Sequence, residues 1–437
     1  MSQKTFTPNV NSNVNSNVNS NAAWLERLMT VECQDATYPV ASQNNPVVFD
    51  SARGALVRDV EGREYIDLCA GFGALALGHN PDCVQHVFSK YAPGDASAKF
   101  PPIVHGLGDV YPSRAKIDLL DTLKSILPRH LSRISLAISG GQAVEVALKT
   151  AMLHSGAAGF ISFQEAYHGV DLGVLPVTSR SDFKLPFKKF LNDRIAIELP
   201  YGCDMTLVAN AITALKSAPC GFAGIVAEPV LGRGGVINPP ENWLDGLAKT
   251  AHAHGGLLIL DEILTGLGRR GKWTEAESVD ADLVCFGKVL GGGMPLSACA
   301  GKEAVMSAWP KSTGEAIHTG TFFGHPLSCE VAAASLREMK RIDVCKMARE
   351  TGAWLYELLS DRLKPRPDIE EIRWGGGLMI AIHYKDSAGP APGAVAMDRL
   401  RALGVITLAS GRGGTSLSLT PPLNISRDLL AQALASF

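Results

Sequence analysis

Hydrophobic positions along the chain fall into three regimes. Between about residues 130 and 300 they gather in short, nearly continuous runs: RISLAI (133–138), GFISF (159–163), GIVAE (224–228), GLLILD (256–261) and DLVCF (282–286). Stretches with helical spacing, 142–154, 205–217 and 242–254, lie between them. A run without alternation suits a strand buried on both faces, and intervening helices suit parallel crossovers, so an open α/β sheet is predicted. Its ligand site should lie outside the carboxyl ends of the strands. Residues 47–69 instead alternate apolar and polar around Val60-Glu61-Gly62, which predicts a hairpin. After Pro326, helical patterns over 328–341 and 343–363 lead to short strands near 378–383, 405–408 and 416–420, an α+β segment. The tract NVNSNVNSNVNSN (9–21) has no large apolar side chain to bury, so a mobile tail is expected over residues 1–23. The expected division is that tail, a first part of a small domain over 24–75, a large domain over 76–327, and the rest of the small domain over 328–437.

A chain of 437 residues exceeds the roughly 250–300 at which one hydrophobic core stops growing, which agrees with two domains. Forty-one Lys and Arg against 43 Asp and Glu give a net charge of −2. No global field then exists to attract a polyanion or an anionic membrane, and neither nucleic acid nor membrane is an expected partner. The nine cysteines include no CxxC pair and sit mostly in apolar runs, which predicts reduced thiols, a cytoplasmic setting and no metal cluster. The start, MSQKTFTPNV, lacks a basic segment followed by an apolar one, and nowhere do about 18 apolar residues run together.

Four features fall at or beside predicted strand ends. Ser139-Gly140-Gly141-Gln142 follows RISLAI and opens a helix. Free amides there, reached past glycines, suit a phosphate, although an ordinary strand-to-helix turn has the same appearance. Asp261-Glu262 closes GLLILD. An acid at the end of a buried strand calls for a cation, either a protonated pyridinium nitrogen or a structural arginine such as Arg269 or Arg270. Lys288 lies in DLVCFGKVLGGGMPL, with no charged neighbour from Leu283 to Gly301, so its amine enters a partly dry site as a Schiff-base lysine requires. Tyr167-His168-Gly169 offers an aromatic that could lie on a ring.

The ordered motifs SGGQAVE, FQEAYHG, AEPVLGRGG, LILDEILTGLGRRG, FGKVLGGGMPL and TGTFFGHP closely resemble the class III pyridoxal-phosphate aminotransferases of fold type I, over roughly residues 50–425. The resemblance implies an α/β large domain with a mostly parallel seven-stranded sheet flanked by helices, and a smaller α+β domain built from both chain ends. It implies pyridoxal 5'-phosphate as cofactor, Lys288 as the lysine that holds it, and Asp261 as the acid paired with its ring nitrogen. Ile263 and Tyr167 would pack on opposite ring faces. Ser139, Gly140, Gly141 and Gln142 would cradle the phosphate, with His168 and Glu228 beside the cofactor. Thr321 would reach the phosphate of a neighbouring subunit, which implies a homodimer with shared sites. Two unit charges about 3 Å apart attract by roughly 5 kcal/mol at an effective dielectric near 20, enough to keep a pyridine protonated at neutral pH.

Three positions depart from the family pattern. Leu264 stands where glutamine is usual, His325 where asparagine is usual, and Ser418 where a carboxylate-binding arginine often stands. Serine cannot fork a carboxylate, so the donor is expected to be an amine or ω-amino compound, or carboxylate binding has moved to Arg412 in GRGG. Arg412 as a solvated loop charge is the alternative. Phe72, in the segment 70–75, is a candidate for shaping the substrate pocket. Two motifs are decoys: GLGRRG (266–271) matches GxGxxG but lacks a following helix, and His252 and His254, two apart on a helix, face different directions. The expected activity moves an amino group between a primary amine or (ω-)amino acid and a small keto acid, pyruvate or 2-oxoglutarate. A racemase, epimerase or aminomutase would use the same Lys288 and Asp261. A non-catalytic protein that kept the scaffold is a third reading.

Overall fold

The computed structural model describes residues 20–32, 47–91, 104, 110–191, 195–363, 365–386 and 389–437. Fifteen strands form three sheets among them. Those of the first part are β1 (Phe49–Arg53), β2 (Leu56–Asp59) and β3 (Glu64–Asp67); β2 and β3 are the two arms of the expected hairpin. The central strands are β4 (Arg133–Ala137), β5 (Phe160–Phe163), β6 (Ala196–Leu199), β7 (Gly224–Ala227), β8 (Leu257–Asp261), β9 (Leu283–Phe286) and β10 (Ser297–Gly301). The last are β11 (Ile369–Trp374), β12 (Ile380–Tyr384), β13 (Val405–Ile406), β14 (Leu408–Ser410) and β15 (Ser416–Leu419).

The central seven strands run in the order β4-β10-β9-β8-β7-β5-β6, with β10 antiparallel to both its neighbours and β9-β8-β7-β5-β6 all parallel. This is the mostly parallel α/β sheet that the apolar runs predict. Every residue of β5, β7, β8 and β9 is buried, which is why those runs show no alternation. The helices Gly140–Ser155, Met205–Ser217 and Trp243–Ala253 supply the crossovers. The continuous-run criterion passes over two strands. β10 (SACAG) is fully buried yet made of small residues, and β6 (AIEL) is a half-covered edge strand.

In a second sheet, ordered β1-β2-β3-β13, the two ends of the chain meet: β13 pairs in parallel with β3, and Leu68 N–H donates to Ile406 O. The third sheet, β11-β12-β15-β14, is antiparallel throughout. The expected mobile tail needs correction at its end. Ser20 caps the helix Asn21–Val31, and the Asn21 side chain is buried, donating to Asp59 Oδ2 at 2.9 Å and accepting from Val48 N–H at 2.7 Å. An asparagine can order a chain end by hydrogen bonding where no apolar residue is present. Residues 1–19 of that tract, and Cys33, lie outside the described residues.

Both decoys have structural employment. In the GLGRRG segment Arg269 turns inward and is fully buried, donating from Nη1 to the carbonyls of Leu378 (3.0 Å) and Pro421 (2.6 Å) and from Nη2 to Gly73 (3.3 Å). Burial pushes its pKa down to about 9, which leaves it a cation at neutral pH. His252 Nε2 lies 2.7 Å from Asp282 Oδ2, and Lys302 Nζ lies 2.8 Å from the other oxygen of that carboxylate. No described helix is long and apolar enough to cross a membrane.

Two substitutions test these buried charges. Arg269→Met strands three buried carbonyls, each worth about 1–3 kcal/mol, so it should lower unfolding free energy by at least about 3 kcal/mol; an unchanged denaturation curve would contradict the clamp. Glu262 accepts from Glu275 N–H and the Thr274 hydroxyl, yet burial pushes its carboxyl up from 4.5 to about 7. A carboxyl raised by folding costs nothing below its unfolded value and most above its folded one. Glu262→Gln removes that cost, so the melting temperature of the variant minus that of the parent should rise between about pH 5 and pH 8; a flat or falling difference would count against it.

Candidate active site

Parallel strands deliver their carboxyl ends to one edge of the sheet, and the residues singled out in the sequence lie there. β8 ends in Asp261, β7 ends just before Glu228, β5 leads into Tyr167 and His168, β9 ends two residues before Lys288, and β4 ends two residues before Ser139. The arrangement follows the strand-end rule for α/β sheets.

Asp261 is buried, and its partner is His168 rather than an arginine: Nδ1 of the fully buried imidazole lies 2.7 Å from Oδ2. Ile263 N–H donates to Oδ1 at 3.1 Å. This settles the alternative of Arg269 or Arg270, since the first donates to carbonyls and the second pairs with Glu275 and the Gly375 carbonyl. Burial alone would lower the His168 pKa, but the hydrogen bond it donates to Asp261 and the charges of Asp261 and Glu228 outweigh it and raise the imidazole. His168 Nε2 is buried and has no hydrogen-bond partner among the described residues. Glu228 is buried with both oxygens in use, accepting from Tyr167 N–H (2.8 Å) and Gly232 N–H (3.0 Å). Burial pushes its carboxyl up to about 7, with the His168 charge opposing.

Lys288 begins a short 3₁₀ turn, Lys288–Gly291, with a left-handed backbone (φ 43°) that a lysine adopts only under constraint. Burial lowers the pKa of its amine from 10.5; the charges of Asp261 and Glu228 oppose that shift, while those of Arg233 and Arg269 add to it. Ile263 packs over the backbones of Gly140 and Gly287, where a Cβ would come within 2.8 Å and 3.2 Å of its side chain. The same isoleucine therefore touches the start of the glycine turn and the residue before Lys288.

The glycine turn is narrower as an anion site than the sequence implies. Ser139 and Gln142 form a capping box: Ser139 Oγ accepts from Gln142 N–H at 3.2 Å, and Gln142 Oε1 accepts from the Ser139 and Ile138 amides. Gln142 is thereby committed to the helix cap. The amides of Gly140 and Gly141 have no acceptor among the described residues, and Ser297 Oγ fixes the loop by donating to Ser139 O at 2.6 Å. The Asp171 carboxylate borders the turn on the Cβ side of Gly141. A helix N-terminus, a buried carboxylate and a desolvated lysine amine are the donor set that a phosphorylated pyridine aldehyde requires, so these residues fit pyridoxal phosphate.

Other expected residues lie further out. Phe72 is 57% exposed and belongs to a run, Ala70 to Gly73, in which all four residues have positive φ. Thr321 is exposed, and its segment packs beside Lys116 and His318. His325 precedes the helix Pro326–Arg341, with its ring 6.2 Å from that of Phe322. Leu264 is explained by packing: its side chain fills the space over Gly232 and Gly73 and joins Val230, Val236 and Met379. Ser418 Oγ lies 2.5 Å from Ser410 Oγ, a neutral pair. Arg412 is exposed on the loop after β14. Sequence reasoning missed Arg233, whose guanidinium lies 4.7 Å from the centroid of the Tyr167 ring; the signal was its place five residues after Glu228 in AEPVLGRGG.

Residues 37–437 match the family Aminotransferase class-III. Among curated proteins, the acetylornithine aminotransferase of Methanosarcina mazei is 31% identical over 386 residues, 88% of this chain and 89% of that protein. Among solved structures, the ornithine aminotransferase of Toxoplasma gondii, with partial occupancy of PLP at its active site, superposes with a TM-score of 0.83 at 25% identity, over 96% of this chain and 93% of that one. A thermostable (S)-enantioselective omega-transaminase from Thermomicrobium roseum does so with a TM-score of 0.81 at 25% identity, over 95% and 98%. All three are named for amino-group transfer, and none supports the racemase alternative. With the family match running from residue 37 to the last residue, and relatives aligned over nearly their whole lengths, the chain belongs to the class-III aminotransferases, a pyridoxal-phosphate-dependent family of fold type I.

Proposed function

We propose that this aminotransferase moves an amino group between a primary amine or ω-amino acid and a small keto acid, pyruvate or 2-oxoglutarate, with pyridoxal 5'-phosphate held between Asp261 and Lys288. The observation that carries the reading is the buried Asp261–His168 pair at 2.7 Å, set at the strand end beside the one that leads to Lys288. The names of the acetylornithine, ornithine and omega-amine relatives support a donor whose amino group is carried at the end of a chain.

When bound, the cofactor supplies a conjugated, protonated ring that stabilises negative charge at the substrate carbon. Asp261 holds the proton on the ring nitrogen, and its own charge is kept in place by His168 Nδ1 and Ile263 N–H. Lys288 Nζ, its basicity reduced by burial, would take the proton from the substrate carbon and deliver it two bonds away, to the carbon on the cofactor side of the nitrogen. The free amides of Gly140 and Gly141 would receive the phosphate, Ile263 and Tyr167 would lie against the ring, and Phe72 would border the substrate. Thr321 completes the phosphate site of a second copy, which makes the protein a homodimer. Exposed Ile317 and Phe322 on the segment that carries Thr321, and Ile117 next to Lys116, which packs on that segment, support an interface there. The eight described cysteines are all thiols, in keeping with a cytoplasmic enzyme.

Two measurements test the assignment. Holoenzyme given one amine donor and no keto acid should convert its cofactor to the amine form in one equivalent and stop, and Lys288→Ala should slow that step by about 10²–10⁴-fold; retention of the parent absorbance band would refute transamination. Asp261→Asn keeps the shape and removes the charge, so the same step should fall by about 10²–10³-fold while the fold, read by circular dichroism, is kept. A parent-like rate in that variant would remove Asp261 from the chemistry.

A further inference from the structure

The loop after β7 carries a cation to the site, and it is held at several points. Gly232 N–H is bound by Glu228 Oε2, the Arg233 carbonyl accepts from Gly411 N–H at 2.9 Å, and the Gly235 carbonyl accepts from Arg373 Nη1 at 3.3 Å. The other oxygen of Glu228 binds Tyr167 N–H, so one buried carboxylate fixes both the Arg233 loop and the aromatic beneath the arginine. The Arg233 guanidinium lies 4.7 Å over the Tyr167 ring. Its residue is exposed, and no described carboxylate forms an ion pair with it.

A guanidinium carries five N–H donors, and among the described residues no hydrogen bond or ion pair is seen for those of Arg233; two of them in parallel are what forks a carboxylate. Arg233 is also one of two cations whose charge bears on Lys288, and the other, Arg269, is committed to three backbone carbonyls. We propose that Arg233, set over the Tyr167 ring at the mouth of the site, anchors the carboxylate of the organic acid on which the enzyme acts. The assignment rests on the aminotransferase reading, and it replaces Arg412 as the carboxylate anchor. Arg412 lies on the neighbouring loop, which meets the Arg233 loop through the Gly411 hydrogen bond. Acids gain from the Arg233 contact, and carboxylate-free amines do not, so this residue sets the selectivity between the two.

The test uses holoenzyme and the variants R233Q, R233K and R412A, with succinate as a carboxylate probe that carries no amino or keto group. Succinate binding is read by titration calorimetry, and the ratio of kcat/KM for pyruvate to that for a carboxylate-free amine by cofactor absorbance. R233Q should weaken succinate by about tenfold or more and lower the ratio to a similar extent. R233K, a point charge without the fork, should fall between, and R412A should bind succinate more tightly than R233Q does. Succinate affinity in R233Q within twofold of the parent, or the larger loss in R412A, overturns the proposal. Absence of amino transfer from every donor would refute the aminotransferase reading instead, and the succinate titration would still report on Arg233.

Discussion

The site depends on keeping a carboxylate charged inside the protein. Asp261 closes a strand that is buried along its whole length, where an isolated carboxylate would cost several kcal/mol. His168 offsets that cost, and its imidazole is in turn held by the loop after β5, whose Tyr167 and His168 amides bind Glu228 and the Thr178 hydroxyl. The chain of support thus runs from Asp261 to His168, to the 167–169 loop, and to Glu228. Glu228 then reaches the loop of Arg233. Removing one member disturbs groups that touch no cofactor atom, which is why the network is better treated as one unit than as separate contacts.

Much of the central sheet was legible because burial on both faces leaves a simple mark, an apolar run, and because the chemistry sits where those runs stop. β10 left no such mark: Ser297, Ala298, Cys299, Ala300 and Gly301 are small, and their burial comes from the neighbours that cover them. β11 and the helix Pro392–Ala402 were passed over for a related reason, since their exposed faces dilute any periodicity. Asp261 and Lys288 could be singled out from local contrast, a charge at the end of an apolar run. The identity of the partner of Asp261 could not, because His168 is 93 residues away and only the parallel pairing of β5, β7 and β8 brings it near.

Departures from the family pattern proved to be questions of volume and charge that a single position cannot answer. Leu264 looks like a lost polar contact in the sequence; in the structure it occupies space that Gly73 and Gly232 leave open, so three positions change meaning together. Arg233 is the converse case. Its residue type was visible inside a motif, but its loop is set by the bond that Gly232 N–H donates to Glu228 and the one that Gly411 N–H donates to the Arg233 carbonyl, one short and one very long in sequence.

The pairing of β3 with β13 has a consequence for how the polypeptide emerges during synthesis. Strands β1 to β3 leave the ribosome early, but the edge of β3 has no neighbour until Val405 and Ile406 have been made. By then the whole seven-stranded sheet, which ends with β10 at Gly301, has long been available to fold. An exposed strand edge is a site for mispairing with other nascent chains, and here it stays open for roughly 17–70 seconds at ordinary elongation rates. The pairing closes a loop more than three hundred residues long, from Ile66 to Val405, so the small sheet is completed only by a contact of very high sequence separation.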